Sequence, residues 1–206
     1  MNPEASAAAP LTPHEALRKL LDGNQRYLER GSRAPQDFAR ERQAQAKHQD
    51  PYAVVLACGD SRVPPALLFD VGLADVFEVR VAGNVLDEAV LASIEYGALK
   101  ASAEVVMVLG HERCGAVAAA LLPPEERARL PGRIGPLTER IARLRPAIAD
   151  KPGDPAENLM RENVAHVVAE LRRLSPALKA AEDAGRIMIV GARYDLDDGK
   201  VALLEP

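Results

Sequence analysis

The run from Ala53 to Arg62, AVVLACGDSR, constrains this chain more than any other stretch. Ala53 to Ala57 is an unbroken apolar segment of the length and kind that suits a strand covered on both faces. Its character then changes within one residue, to Cys58, Gly59, Asp60, Ser61 and Arg62. On extended backbone alternate side chains share a side, so Cys58, Asp60 and Arg62 are expected along one wall. In an open parallel sheet ligands bind at the carboxyl ends of the strands, which makes that wall a candidate site.

A second run repeats the layout. Val105 to Leu109 is apolar and leads into Gly110, His111, Glu112, Arg113, Cys114 and Gly115, and the small apolar segment Ala116–Leu122 reads as a helix starting there. His111 and Cys114 are three apart, a spacing that puts both within reach of one ion on a helical turn. Cys58 and Cys114 are the only cysteines. Two thiolates and an imidazole are three ligands with a fourth position open, the count used by catalytic zinc. The bland alternative is a pair of inert core thiols. An Asp, an Arg and a His gathered with both cysteines at two strand ends favour a metal centre instead.

The remaining elements follow from pattern. Thr12-Pro13-His14-Glu15 is a capping box that opens a helix through about Glu29, with Leu17, Leu20, Leu21 and Leu28 on one stripe. A polar connection, Ser32 to Asp50, precedes the first strand. Pro64-Pro65 opens a short helix carrying Leu67, Leu68 and Phe69, and Phe77–Ala82 is the next strand. Asp87 or Asn84 caps a helix running to Lys100. Pro123 to Pro155 reads as surface with one helix, Pro136–Ala149, and Glu157–Leu174 as a longer amphipathic helix. Arg186–Ala192 is a strand, and Asp198-Gly199 turns the chain back antiparallel through Lys200–Leu204. The alternation predicts an α/β fold with a central, mostly parallel sheet, an antiparallel edge strand, flanking helices and an N-terminal helical arm. One domain is expected over 1–206, with 1–50 as the arm and 51–206 as the metal-binding core.

Composition narrows the partners. The 26 basic and 30 acidic residues leave a net charge of -4, which argues against an electrostatic grip on nucleic acid or an anionic membrane. With no tryptophan and 3% aromatics, platforms for stacking bases are not expected either. No G-x-G-x-x-G fingerprint points to a dinucleotide. MNPEASAAAP lacks the features of a secretory leader and no apolar run approaches the roughly 20 residues of a membrane span. A cytoplasmic protein with free thiols is the expectation. His14 and His48 read as solvated, and His166 as packed or solvated.

Cys58-x-Asp60-x-Arg62 with His111-x-x-Cys114, flanked by SRVPP and VLGHERCGAV, resembles the signature of the β-class carbonic anhydrases. The stretches Arg80-Val-Ala-Gly83-Asn84-Val, Ser93-Ile-Glu-Tyr96-Gly97 and Gly191-Ala-Arg-Tyr194-Asp195 extend the resemblance over most of the chain. It implies one Zn(II) per chain on Cys58, His111 and Cys114, and reversible hydration of carbon dioxide to bicarbonate and a proton by attack of zinc-bound hydroxide. Asp60 would accept a hydrogen bond from the water, with Arg62 gripping that carboxylate. In some relatives the matching aspartate becomes a fourth ligand and closes the site, so Asp60 is a candidate for that role too.

The resemblance further implies a homodimer or homotetramer. Arg80 and Tyr194 match two members of a bicarbonate pocket found in some relatives, but Val55 stands where those have tryptophan. Arg80 is therefore read as a salt bridge or carbonyl contact and Tyr194 as a packed ring. Gly59 replaces the usual serine without reaching the metal, and Ser61 and Asn84 read as backbone caps. Two alternatives stay open: a related zinc hydrolase acting on COS or CS2, and a non-catalytic zinc or redox sensor.

Overall fold

The computed structural model describes residues 11–30 and 38–205. Five strands, β1 (Ala53–Ala57), β2 (Val76–Arg80), β3 (Val105–His111), β4 (Met188–Tyr194) and β5 (Val201–Leu203), form one sheet in the order β2-β1-β3-β4-β5. The first four are mutually parallel and β5 runs antiparallel to β4 at the edge. Every residue of β1 and β3 is buried, which is why both read as continuous apolar runs. From β1 the chain passes to β2 on one side and then to β3 on the other. The carboxyl ends of β1 and β3 therefore flank the crevice at the switch point of the sheet.

Alternation along the strands divides the core in two. Val54 and Leu56 of β1 and Val106 and Val108 of β3 face a larger cluster under α4 (Glu88–Glu95), α5 (Gly115–Leu121), α7 (Ile134–Ala142), α8 (Pro155–Leu174) and α9 (Pro176–Asp183). Val55, Val105, Met107 and Leu109 face the other way, against Leu20 of α1 (Pro13–Arg30) and Leu68 of α3 (Pro65–Leu68). Each such side chain, fully buried, is worth about 1.5–3 kcal/mol relative to exposure.

The capping box at the start of α1 forms: the Glu15 N–H donates to Thr12 Oγ1 at 3.3 Å, and the Thr12 N–H donates to Glu15 Oε2 at 2.8 Å. Further along, Asn24 is buried and donates to the carbonyls of Leu68 and Gly199, both at 3.0 Å, while its Oδ1 accepts from the Val201 N–H at 2.9 Å. α1 is thus packed on its own chain's core. At the opposite corner, Arg172 of α8 forks onto Glu182 of α9 through two 2.8 Å bonds and reaches the Ile189 carbonyl at 2.9 Å.

Several elements depart from the sequence expectation. The Ser32–Asp50 connection contains α2 (Phe38–Ala44), with residues 32–37 lying outside the described residues. β2 ends at Arg80 because the chain turns through a 3₁₀ segment, Ala82–Asn84. The Pro123–Pro155 region is more than surface. It holds α6 (Pro124–Arg127), α7 and a 3₁₀ turn at Arg145–Ile148, and Thr138, Ile141 and Ala142 of α7 are buried. α4 continues to Lys100 through a π-helical turn, and Asp87, not Asn84, caps it by accepting from the Val90 N–H. α9 has no counterpart in the expectation; Ser175 restarts the helix by accepting from the Leu178 N–H. Among the described residues no helix is long and apolar enough to cross a membrane.

Two stability outcomes follow from these contacts. A Cβ on Gly23 would stand 1.9 Å from the Phe69 carbonyl oxygen, a backbone atom that cannot swing aside. Gly23→Ala should therefore lift α1 and cost about 1–3 kcal/mol in urea unfolding. The Arg172 guanidinium holds the Glu182 carboxyl below its ordinary value. A depressed carboxylate contributes stability above its unfolded pKa and loses it as pH falls through the folded one. Glu182→Gln should cost about 1 kcal/mol at pH 7, and the gap from wild type should close on titrating well into the acid range.

Candidate metal centre

The centre is assembled from two loops that leave neighbouring strands. In the β1–β3 register Ala57 lies opposite Leu109, so Cys58 and the Gly110-His111 end of β3 emerge at about the same height. The ligand atoms of Cys58, His111 and Cys114 all lie within 4.8 Å of one another, and all three residues are buried. The two sulfurs are 3.9 Å apart.

His111 reaches this point from the strand rather than from a helical turn. It is the last residue of β3, and Cys114 is the N-cap of α5. Arg113, with φ of 49°, makes the corner between them. The His111 Nδ1 lies 2.8 Å from the carbonyl oxygen of Glu112. A carbonyl only accepts, so Nδ1 carries the proton and Nε2 offers its lone pair. That Nε2 is buried and has no hydrogen-bond partner. An orphaned ring nitrogen facing two sulfurs is costly in a protein interior unless an electron-pair acceptor meets it. The donor set therefore fits a metal ion of zinc type, which takes thiolate and imidazole together.

The two thiols act as one acid. Cys58 is held well below the ordinary thiol range, first by its hydrogen bond with Cys114, against the effect of burial, and then by the neighbouring His111 ring and the Gly83 N–H. Cys114, facing that sulfur and buried itself, is pushed up. The Gly83 N–H donates to Cys58 Sγ at 3.3 Å.

Asp60 and Arg62 do meet, but through a turn and not through strand alternation. β1 ends at Ala57, and the Val63 N–H closes a turn onto the Asp60 carbonyl at 3.0 Å. Within that turn Asp60 Oδ1 accepts from the Arg62 N–H at 2.9 Å and from Nε at 3.0 Å, while Oδ2 accepts from Nη2 at 2.7 Å. The Arg62 fork, aided by its backbone N–H and opposed by partial burial, holds the Asp60 carboxyl well below the carboxylate range. Asp60 Oδ2 stands 4.0 Å from His111 Nε2, on the rim of the ligand cluster.

The other expected residues fall into place around it. Arg80 makes a double carbonyl contact, to Cys58 at 3.2 Å and Asp60 at 2.6 Å, and so braces the ligand loop from β2. Tyr194 is a buried ring in the core under α1. A Cβ on Gly59 would meet the Ala82 nitrogen at 3.6 Å, ordinary contact, so a serine would fit there. Ser61 is exposed and caps no described residue, contrary to expectation. Asn84 is buried with φ of 41° and its Nδ2 has no partner, while the capping bond at the start of α4 is made by Asp87 in its place. His14, His48 and His166 are exposed.

Sequence reasoning missed the supports of the ligands. Glu112, whose carbonyl fixes the His111 tautomer, is pinned by Arg193 and by the Leu196 N–H, and Arg193 also binds Glu157 and Asp195. A cleft of about 460 Å³ opens beside His111 and Cys114, walled by Arg113, Glu157, Met160 and Arg193. Nothing in the local pattern marks these side chains as partners of the site.

Comparison with known proteins agrees with the geometry. The family model for carbonic anhydrase matches residues 53–201. A carbonic anhydrase of Mycolicibacterium smegmatis is 39% identical over 194 residues, covering 93% of each chain. A β-carbonic anhydrase of Coccomyxa, solved in complex with acetazolamide, superposes with a TM-score of 0.71 at 25% identity over 97% of this chain and 87% of that one. A tetrameric β-carbonic anhydrase of Sordaria macrospora shares the fold, with a TM-score of 0.69 at 23% identity over 92% and 97%. The family match takes in β1 to β4 and both loops that meet at the ligand cluster, and the chain belongs to the β-class carbonic anhydrase family.

Proposed function

We propose that this chain holds one Zn(II) through Cys58, His111 and Cys114 and there hydrates carbon dioxide reversibly to bicarbonate and a proton. The observation that carries the reading is the buried, unpartnered Nε2 of His111 set among two sulfurs within 4.8 Å. When bound, zinc lowers the pKa of a water toward neutrality and so supplies the nucleophile for carbon dioxide.

The rest is the work of the chain's own groups. Cys58 and Cys114 bring two negative charges that offset the charge of the ion, so help from neighbouring groups matters more than it does with neutral imidazole ligands. Asp60 gives that help. Its Oδ2 is in position to accept a hydrogen bond from a water beside His111, which turns the water's lone pair away from the carboxylate and toward the substrate. Arg62 keeps the carboxylate ionised, so Asp60 acts as an acceptor and not as an acid at neutral pH. Because Arg62 occupies both oxygens, Asp60 would have to leave the fork to become a fourth ligand. We take the paired arrangement as the working state.

We further propose that residues 1–206 act as one cytoplasmic unit, an arm over 1–50 and a catalytic core over 51–206, assembled as a homodimer or homotetramer. The tetramer of the Sordaria enzyme on the same fold supports the larger assembly.

Purified protein should carry one zinc per chain by elemental analysis and hydrate carbon dioxide rapidly in stopped flow. Cys58→Ala, His111→Ala and Cys114→Ala should each lose metal and hydration together; activity without stoichiometric metal would sink the assignment. Asp60→Asn and Arg62→Ala should keep zinc while kcat/KM falls about 10- to 100-fold. Unchanged kcat/KM in both would remove the dyad from the mechanism.

A further inference from the structure

We propose that Asn163 is a positioning residue for the metal centre, acting from α8 on Cys58 through the backbone of Gly83. The inference rests on the metal-centre reading above. Asn163 is 3% exposed, and its Nδ2 donates to the Gly83 carbonyl at 2.9 Å. The N–H of the same glycine donates to Cys58 Sγ at 3.3 Å. A side chain 105 positions from Cys58 is therefore two hydrogen bonds from a ligand sulfur.

The loop needs such a hold. Gly83 has φ of 68° and is followed by Asn84 at 41°, two left-handed residues in succession, an arrangement that a non-glycine residue adopts only when its surroundings impose it. Gly83 is also squeezed: a Cβ there would stand 2.7 Å from Ile141 Cδ1 and 2.9 Å from Ala116 Cβ. Packing limits where the loop can go, and the Asn163 bond fixes which way its peptide groups face. Without that donor the buried Gly83 carbonyl loses its partner, and the loop must rotate to find another. Rotation carries the Gly83 N–H off the sulfur.

That N–H matters because the two sulfurs lie 3.9 Å apart. Two thiolates at that spacing repel, and a donor aimed at one of them lowers the charge density the other must face. Asn163 thus prepares the pair of sulfurs to meet a cation, in the way outer hydrogen bonds tune metal ligands elsewhere.

The test is zinc affinity by chelator competition, with the thiolate-to-metal charge-transfer band of the Co(II)-substituted protein as a second readout. Asn163→Leu removes the donor at similar volume, and Asn163→Ala removes it without adding bulk or charge. Both should weaken zinc binding about 10- to 100-fold and move the band to lower energy. Asn24→Leu is the control, since it also deletes buried amide hydrogen bonds but far from Cys58; it should lower stability in urea and leave zinc affinity within about threefold of wild type. The proposal is overturned if folded Asn163 variants keep wild-type affinity and an unmoved band, or if Asn24→Leu weakens zinc as much as they do. Should Asn163→Leu not fold, Asn163→Ala decides by the same two readouts. Wild type that binds no zinc would overturn the metal-centre reading together with this one.

Discussion

The parallel pairing of β1 with β3 is the constraint on which the rest of this protein depends. Both strands are buried along their whole length, and their side chains are shared between two separate core clusters. A slip of one residue would send every one of those side chains to the wrong cluster, so the register is fixed by the core itself. With Ala57 opposite Leu109, the next residues of the two strands leave the sheet side by side. Three ligand atoms come together because this register brings the ends of two hydrophobic strands out at the same height.

What the core sets up, short-range hydrogen bonds finish. The strand ends would leave side chains free to rotate, and two of the three ligands are instead tied by a backbone group: His111 through the Glu112 carbonyl, Cys58 through the Gly83 N–H. The residues that supply those groups are held in turn from distant segments, Glu112 by Arg193 on its carboxylate and Gly83 by Asn163 on its carbonyl. Arg80 adds a third hold on the loop that carries Cys58 and Asp60. The groups that brace the centre come from β2, β4 and α8 rather than from the loops that carry the ligands.

Asp60 and Arg62 follow a different logic. Their fork closes within one turn, across a separation of two residues, and needs no distant partner to form. The tertiary structure contributes only where that turn points. Because the turn leaves β1 beside β3, the carboxylate ends 4.0 Å from His111 Nε2 instead of in open solvent. A local motif with its own electrostatics has been placed at the edge of a buried cluster, where a carboxylate that stays ionised can act on a polar ligand.

Much of this was legible in the sequence, for a physical reason. Buried strands announce themselves as unbroken apolar runs, so all five strands, the antiparallel return after Asp198-Gly199 and the capped start of α1 could be read from neighbours in the chain. Cys58, His111, Cys114, Asp60 and Arg62 stood out because thiol, imidazole and charge are out of place at the end of such runs. The sequence could not show how they are reached. Strand alternation suggested the right pairing of Asp60 with Arg62 for the wrong geometric cause, and a helical turn was expected where β3 in fact carries His111 to its place. The helices α2 and α9 and the burial of α7 were likewise settled by packing, since polar or proline-rich segments take their structure from what they cover. Of the supporting layer only Arg80 was read, as a salt bridge or carbonyl contact: a backbone N–H has no letter, and Asn163 and Arg193 look like any other polar residue until the fold brings them to Gly83 and Glu112. Sequence by itself determined which groups carry the chemistry, because that depends on residue type; only the tertiary structure decided how they are held, because that depends on contacts between residues far apart in the chain.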